Sequence, residues 1–262
     1  MTVLSVNLNK VAWLRNARGG DEPSLTEAAD VVVAAGAGGV TVHPRPDQRH
    51  IRADDVFVLA NWLTEARRRR PELEFNIEGN PSAPANDGGY PGFDAFIEQT
   101  RPNQATLVPD SDDQLTSDHG FDLRGDNHAL AERIARYQGW GARVSLFLDP
   151  DVAQVERVPE TGADRIELYT GPYADAVKAH GLDSEPAQRS LASYRAAAER
   201  AVELGLGVNA GHDLDLVNLP RFMTIAGIAE VSIGHALIST ALYRGLDDTV
   251  RAFLDALSPA VT

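Results

Sequence analysis

Residues 39–78 read GVTVHPRPDQRHIRADDVFVLANWLTEARRRRPELEFNIE. The stretch opens on a β-branched run, Gly39–His43, and passes through a proline-broken basic segment. It continues with Ala53–Arg70, rich in Ala, Leu and Arg, and closes on Leu73–Glu78, where polar and apolar residues alternate strictly. Strand, helix and strand in that order form a βαβ unit, which requires a parallel sheet. The same alternation extends outward in both directions. Further strands are predicted at Val3–Leu8, Gln104–Val108, Arg143–Leu148, Arg165–Tyr169, Gly207–Asn209 and Glu230–Ile233. Helices are predicted at Ser24–Ala35, Phe93–Thr100, Asn127–Gly139, Val152–Val158, Glu185–Leu204, Leu214–Ala226 and Ala236–Ala256. Eight strands, each followed by a helix, give an α/β fold of the (β/α)8 TIM-barrel type. The length of 262 residues suits one such domain, which typically runs to about 250. A doubly wound open sheet reads the same strand by strand. It usually carries a glycine-rich turn after its first strand, where this chain has Asn7-Leu-Asn-Lys10.

The formal net charge is −14. That balance disfavours nucleic acid and anionic membrane surfaces as partners. An anionic small molecule must then be held by local donors: arginines, histidines and helix N-termini. There are no cysteines, which excludes disulfides, thiolate metal sites and cysteine nucleophiles and fits a cytoplasmic location. Residues 1–10 carry no basic segment leading into an apolar run, so no secretory signal is expected. The apolar stretch near Val31–Val42 is broken by glycine and too short to span a bilayer.

In a barrel, the C-terminal strand ends carry the chemistry. Here those ends present Asn7 and Asn9, His43, Glu78, Glu167, Asn209 with His212, and Gly234 with His235. A polar group at one strand end is as easily a helix cap as a functional residue; six such ends are hard to explain by packing. The run Thr41–His50 puts His43, Arg45, Arg49 and His50 just beyond the second strand, pairing proton-transfer groups with planar anion-binding forks. A solvated basic loop is the plainer alternative. Glu74, Asn76 and Glu78 share one face of their strand, with Glu78 nearest the mouth. The pairs Gly211-His212 and Gly234-His235 follow the seventh and eighth strands, where barrels bind phosphate. The run Arg67–Arg70 suits a solvated helix C-terminus, and His119, His128 and His180 have no comparable context. No His-Glu-x-x-His or His-x-x-x-His spacing supports a metal, and no Gly-x-Ser-x-Gly elbow supports a serine nucleophile. Two loops are long: 79–92, rich in Pro, Asn and Gly, and 109–125, polar and acidic. The second is the candidate lid.

Taken together, the motifs resemble the pyridoxine 5′-phosphate synthase family. They include Val6-Asn-Leu-Asn-Lys10, Leu14-Arg-Asn-Ala-Arg-Gly19, Val40-Thr-Val-His-Pro-Arg45, Asn76-Ile-Glu78, Val208-Asn-Ala-Gly-His212 and Ile233-Gly-His-Ala236, in the family's order over nearly the whole chain. The resemblance implies a TIM barrel assembled as a homo-octamer, without metal or organic cofactor. It implies condensation of 3-amino-2-oxopropyl phosphate with 1-deoxy-D-xylulose 5-phosphate, giving pyridoxine 5′-phosphate, phosphate and water. By resemblance, His43 and Glu78 are proton acceptors, His212 is the proton donor and Glu167 stabilises the transition state. Asn7, Arg18, Asp213, Gly234 and His235 match positions that hold the aminoketone phosphate. Asn9, Lys10, Arg45, His50 and Thr116 match those that hold the xylulose phosphate. The chain departs from the family at Asn9-Lys10, where members carry Asp-His, and at Asp213, where they carry Gly. An alignment on Leu-Glu would select Glu74 rather than Glu78; the Asn-Ile-Glu match and the strand-end position favour Glu78.

Two other functions fit the same residue pattern less well. A Schiff-base aldolase needs a lysine inside the barrel, and the chain has only Lys10 and Lys178. A non-catalytic phosphate-ligand sensor has no need of several acid–base residues at the strand ends.

Overall fold

The computed structural model of the chain describes residues 2–111 and 114–258. Eight parallel strands close into a barrel in sequence order, and the first pairs with the last. They are β1 (Val3–Asn7), β2 (Gly39–Val42), β3 (Glu74–Gly79), β4 (Gln104–Leu107), β5 (Arg143–Leu148), β6 (Arg165–Tyr169), β7 (Gly207–Gly211) and β8 (Ile228–Ile233). The open-sheet alternative is thereby ruled out.

Alternation along these strands sorts their side chains. Leu4, Val6, Val40, Val42, Phe75, Ile77, Leu146, Ile166, Leu168, Val231 and Ile233 belong to the buried core. That core also takes in helix residues such as Val32, Leu59, Phe96, Tyr194 and Phe253, so it lies between the sheet and the helical ring. Truncating one strand residue there, such as Ile77→Ala, should cost about 2–5 kcal/mol.

The opposite faces are polar and meet inside the barrel. Hydrogen bonds between non-adjacent strands demonstrate this, because such strands touch only across the lumen. Asn7 on β1 reaches Glu78 on β3 at 3.2 Å, Asn209 on β7 reaches Gln104 on β4 at 3.2 Å, and Ser232 on β8 reaches Glu78 at 3.3 Å. A middle belt runs from Ser5 to Thr41 (2.7 Å), and from Thr106 to Asn76 (3.1 Å) and Glu167 (3.4 Å). At the N-terminal end, Arg143 binds Glu74 at 2.5 Å and Gln104 at 3.0 Å, and Arg165 binds Asn209 at 2.9 Å. Barrels usually fill this space with branched apolar side chains. This one fills it with a hydrogen-bonded polar column.

Helices follow the strands, with several departures from the expected boundaries. α1 (Asn9–Asn16) and α8 (Gly171–His180) lie outside the predicted helices; α1 has Leu8 at its N-cap, which offers no capping side chain, and α8 opens on Gly171-Pro172. Between them lie α2 (Leu25–Ala34), α3 (Ala53–Ala66), α4 (Phe93–Thr100), α5 (His128–Gly139), α6 (Val152–Val155) and α7 (Val158–Thr161). α9 (Glu185–Glu203) follows, then the short α10 (Leu219–Phe222) in place of the helix predicted over Leu214–Ala226. The reason is local: Asp215 Oδ1 accepts from the amides of Val217 and Asn218, both at 2.8 Å, which competes with helical bonding. The final predicted helix is two, α11 (His235–Arg244) and α12 (Leu246–Leu257), separated at Gly245 with φ 86°. No helix among the described residues is long and apolar enough to cross a membrane.

Candidate active site

A cavity of about 500 Å³ opens at the C-terminal end of the strands. All the residues to which the resemblance gives a role line it except Arg18, which is exposed just beyond α1. Ser232, Thr106, Phe147, Trp13 and Ser117 also line it and were not singled out from the sequence. Ser232 and Thr106 were nonetheless readable: each is two residues from another inward polar residue on its strand, Glu230 or Gln104. Asn209, expected at a strand end, instead lies deeper, bound to Gln104 and Arg165. Glu74 sits in the ionic cluster at the far end of the barrel, well away from the cavity that Glu78 lines.

His43 follows β2 and precedes Pro44, which restricts it to an extended backbone. Its amide donates to Asn9 Oδ1 at 2.9 Å, and Asn9 in turn has its amide bound by Asn7 Oδ1 at 2.9 Å. The start of α1 thus fixes the end of β2. His43 Nδ1 stands 4.0 Å from Glu78 Oε2. Burial, reinforced by the charges of Arg45, His50 and His212, holds the His43 imidazole well below its usual titration range. It is therefore neutral, with one ring nitrogen unprotonated.

Glu78 is raised to about 8, first by burial and further by Glu230 and Asp110, with the Ser232 hydrogen bond acting in the opposite direction. Glu167 is raised well above the carboxylate range by burial and by Glu78 itself. Two buried carboxyls facing one cavity cannot both ionise without a cation. Gly211 supplies the room for Glu167: a Cβ there would overlap Glu167 Oε1.

The cationic rim is built by the loop after β2. Arg45 pairs with Asp110, which also accepts from Ser117 Oγ at 2.7 Å. Arg49 Nη1 donates to the carbonyls of Gln114 (3.0 Å) and Leu115 (3.2 Å). These bonds tie the segment 114–117 over the cavity. His50 Nδ1 accepts from the Ile51 amide at 2.8 Å, so its ring proton sits on Nε2. Burial and the charges of Arg45 and Lys10 lower His50 to about 3. α1 holds this loop from behind, with Arg15 on Asp55 at 2.6 Å and Asn16 on the His50 carbonyl at 2.8 Å. Lys10 Nζ lies 4.8 Å over the Trp13 ring, and burial followed by Arg45 and Arg49 lowers its pKa.

Opposite, β8 leads through Gly234 into α11, whose first turn has no capping side chain. Uncapped amides at a helix N-terminus are a ready place for an anion. A Cβ on Gly234 would come within 3.1 Å of Asn7 Cβ, so glycine permits this close approach.

The described residues 114–121 of the loop 109–125 cross the mouth. Thr116 Oγ1 lies 2.7 Å from His212 Nε2, while Phe121 N is fastened to the Phe147 carbonyl at 2.9 Å. Asp112 and Asp113 of this loop lie outside the described residues. Loop 79–92 lies to one side: it buttresses the loop after β2, with Gln48 donating to the Gly88 carbonyl at 2.6 Å and Asn86 to the Pro46 carbonyl at 2.8 Å. Among the described residues, no three His, Asp or Glu side chains are arranged to hold a metal ion.

Comparison with known proteins gives the arrangement its context. A protein of Xanthomonas axonopodis pv. citri (strain 306) named pyridoxine 5′-phosphate synthase is 56% identical over 98% of this chain and 96% of its own length. One of the same name from Xylella fastidiosa (strain M12) is 51% identical over 100% and 98%. Among solved structures, thiamine phosphate pyrophosphorylase from Pyrococcus furiosus superposes with a TM-score of 0.61 at 8% identity, covering 98% of this chain and 95% of that one. 3-Keto-L-gulonate-6-phosphate decarboxylase from Vibrio cholerae gives 0.60 at 10%, covering 98% and 97%. At such identities these two share the barrel alone. The family model described as pyridoxal phosphate biosynthesis protein PdxJ matches residues 4–259, and the chain belongs to that family.

Proposed function

We propose that the chain condenses 3-amino-2-oxopropyl phosphate with 1-deoxy-D-xylulose 5-phosphate to form pyridoxine 5′-phosphate, phosphate and water. Names of the full-length relatives support the product. The observation that carries the mechanism is a set of four acid–base groups of contrasting character around one cavity: His43, Glu78, Glu167 and His212. Anion donors stand on both sides of it, with Arg45, Lys10 and His50 on one flank and the α11 N-terminus on the other.

The chemistry needs an amine freed of its proton, a ketone carbonyl attacked, and water and phosphate expelled. Neutral His43 takes the acceptor role, and anionic substrate groups that offset the nearby Arg45 and Arg49 charges raise its basicity. Glu78 holds its own proton by virtue of its burial, but an arriving ammonium favours the carboxylate and turns it into an acceptor. Glu167 stabilises cationic character that develops near it, and His212 protonates the leaving oxygen. Asn7, Asp213, Gly234, His235 and Arg18 serve the aminoketone phosphate; Asn9, Lys10, Arg45, His50 and Thr116 serve the xylulose phosphate. The loop 109–125 acts as a lid that keeps bulk water from the imine steps, as its bonds to Arg49 and His212 suggest. A homo-octamer in the cytoplasm completes this reading.

Purified protein should release inorganic phosphate only with both substrates present, in step with pyridoxine 5′-phosphate. Absence of turnover by well-folded protein would refute the proposal. His43→Ala should abolish turnover and leave the fold intact.

A further inference from the structure

We propose that Asp213 is a positioning residue, which accepts a hydrogen bond from His212 Nδ1 and so presents Nε2 to the cavity as the proton-donating atom. This rests on the reading of His212 as the donor.

Asp213 Oδ2 lies 2.6 Å from His212 Nδ1. On the other side of the ring, Nε2 meets Thr116 Oγ1 at 2.7 Å. The Tyr169 ring stands edge-on at 5.4 Å, closing a third direction. The imidazole is therefore held by its surroundings, and so is the carboxylate. The Asp213 amide donates to Thr170 Oγ1 at 3.3 Å, and its carbonyl accepts from Asn218 Nδ2 at 3.1 Å. Thr170 also donates its hydroxyl to the Gly211 carbonyl at 2.8 Å, bracketing His212 from both neighbours. These anchors hold His212 at φ 101°, a strained conformation rare outside glycine. Strain of this kind persists where the surroundings fix the geometry.

The chemistry follows from the acceptor. Burial raises the Asp213 carboxyl, but the hydrogen bond and charge of His212, with His235 and Lys178, outweigh it and hold the group below its ordinary value. An ionised carboxylate can only accept, so Nδ1 keeps a proton and Nε2 is the atom that exchanges with substrate. The bond strengthens as the ring becomes cationic, which favours the donor form. The groups that face the ring from the packed elements are neutral His43 across the cavity, His235 at the start of α11, and the acidic residues Asp118, Asp149 and Asp175 around Tyr169. The pairing also offsets a negative charge that would otherwise stand at the edge of an anion site.

The test combines ring-nitrogen NMR of His212 in the substrate-free full-length protein with the pH dependence of kcat, for Asp213→Asn, Asp213→Ala and Asp213→Glu. Neutral His212 in the parent should carry its proton on Nδ1. Asp213→Asn should keep that tautomer, because the amide oxygen still accepts, yet move the alkaline limb of kcat down by about one pH unit. Asp213→Ala should mix the tautomers and lower kcat roughly 10- to 100-fold, over and above any change in KM for the aminoketone phosphate; Asp213→Glu should recover part of the kcat loss. An unchanged tautomer in Asp213→Ala, or a loss confined to KM, would overturn the proposal. Should the parent turn over neither substrate, the proposed reaction fails while the NMR still decides the His212–Asp213 pair.

Discussion

Glu167 Oε1 occupies the space that a side chain on Gly211 would need. β6 and β7 run side by side with Tyr169 opposite Gly211, and the missing Cβ lets the Glu167 carboxyl lie against β7 beneath His212. A Cβ would also come within 3.0 Å of the Ser232 carbonyl on β8, so the backbone offers no relief.

Gly211→Ala should therefore act on catalysis through Glu167. Overpacking of this kind costs about 1–3 kcal/mol, which a barrel of this size absorbs. The expected outcome is a folded protein, by circular dichroism and thermal melting, with kcat down roughly 10- to 100-fold because the displaced carboxyl no longer meets the developing charge. Parent-like kcat in a folded Gly211→Ala protein would show that Glu167 has no such role.

The barrel was legible in the sequence because strand and helix periods are local. Gly39–Glu78 carries a complete βαβ unit, and the remaining strands repeat it. Depth inside the barrel was not legible. The two-residue period tells which side chains face the lumen, but the stagger between strands decides how far along the axis each one sits. Glu167 and Asn209 are register partners, yet only Glu167 reaches the cavity. The polar column escaped notice for the same reason: Gln104, Arg143, Arg165 and Glu230 meet only after the barrel closes. The bonds from Gln114 to Arg49 and from Thr116 to His212 join residues more than sixty positions apart, and no local pattern announces them.

The buried carboxyls make stability fall with rising pH. Below about 4.5, Glu78 is protonated in folded and unfolded chains alike. Between that value and about 8 the unfolded chain releases a proton that the folded chain keeps, so each step upward in pH favours unfolding. Glu230, raised to about 7 chiefly by burial, adds to this, and Glu167 acts in the same direction. His43, which resists protonation, opposes it only as pH falls through its ordinary value of 6.5. Denaturant midpoints should thus decline from pH 6.5 to pH 8 in the parent, above the range where the histidines oppose the trend, and less steeply in Glu78→Gln. Parallel profiles for the two proteins would contradict the burial of an un-ionised Glu78.

The loop over the cavity is tied to the cationic rim through Asp110, which binds both Arg45 and Ser117. Ser117→Ala removes one of these bonds and leaves Arg45 paired. A buried hydrogen bond of this type contributes about 1 kcal/mol, equivalent to a factor of roughly five. If the closed loop holds the substrates, KM for 1-deoxy-D-xylulose 5-phosphate should rise by about that factor with kcat little changed. A fall in kcat at constant KM would instead assign Ser117 to the chemical step.

Glu74 and Glu78 lie on one face of β3 at opposite ends of the lumen, and their neutral variants should separate structure from catalysis. Glu74 is partly exposed and pairs with Arg143 at 2.5 Å, within a cluster that includes Glu230 and Arg165. Glu74→Gln should lower stability by about 1 kcal/mol, since solvent screens the pair, and leave kcat within twofold of the parent. Glu78→Gln removes a group that is costly to ionise where it sits. It should match or exceed the parent in thermal stability at pH 8 while turnover falls at least 100-fold, the scale of a lost general base. Melting curves and steady-state rates on both variants decide the assignment, and activity surviving in Glu78→Gln but lost in Glu74→Gln would reverse it.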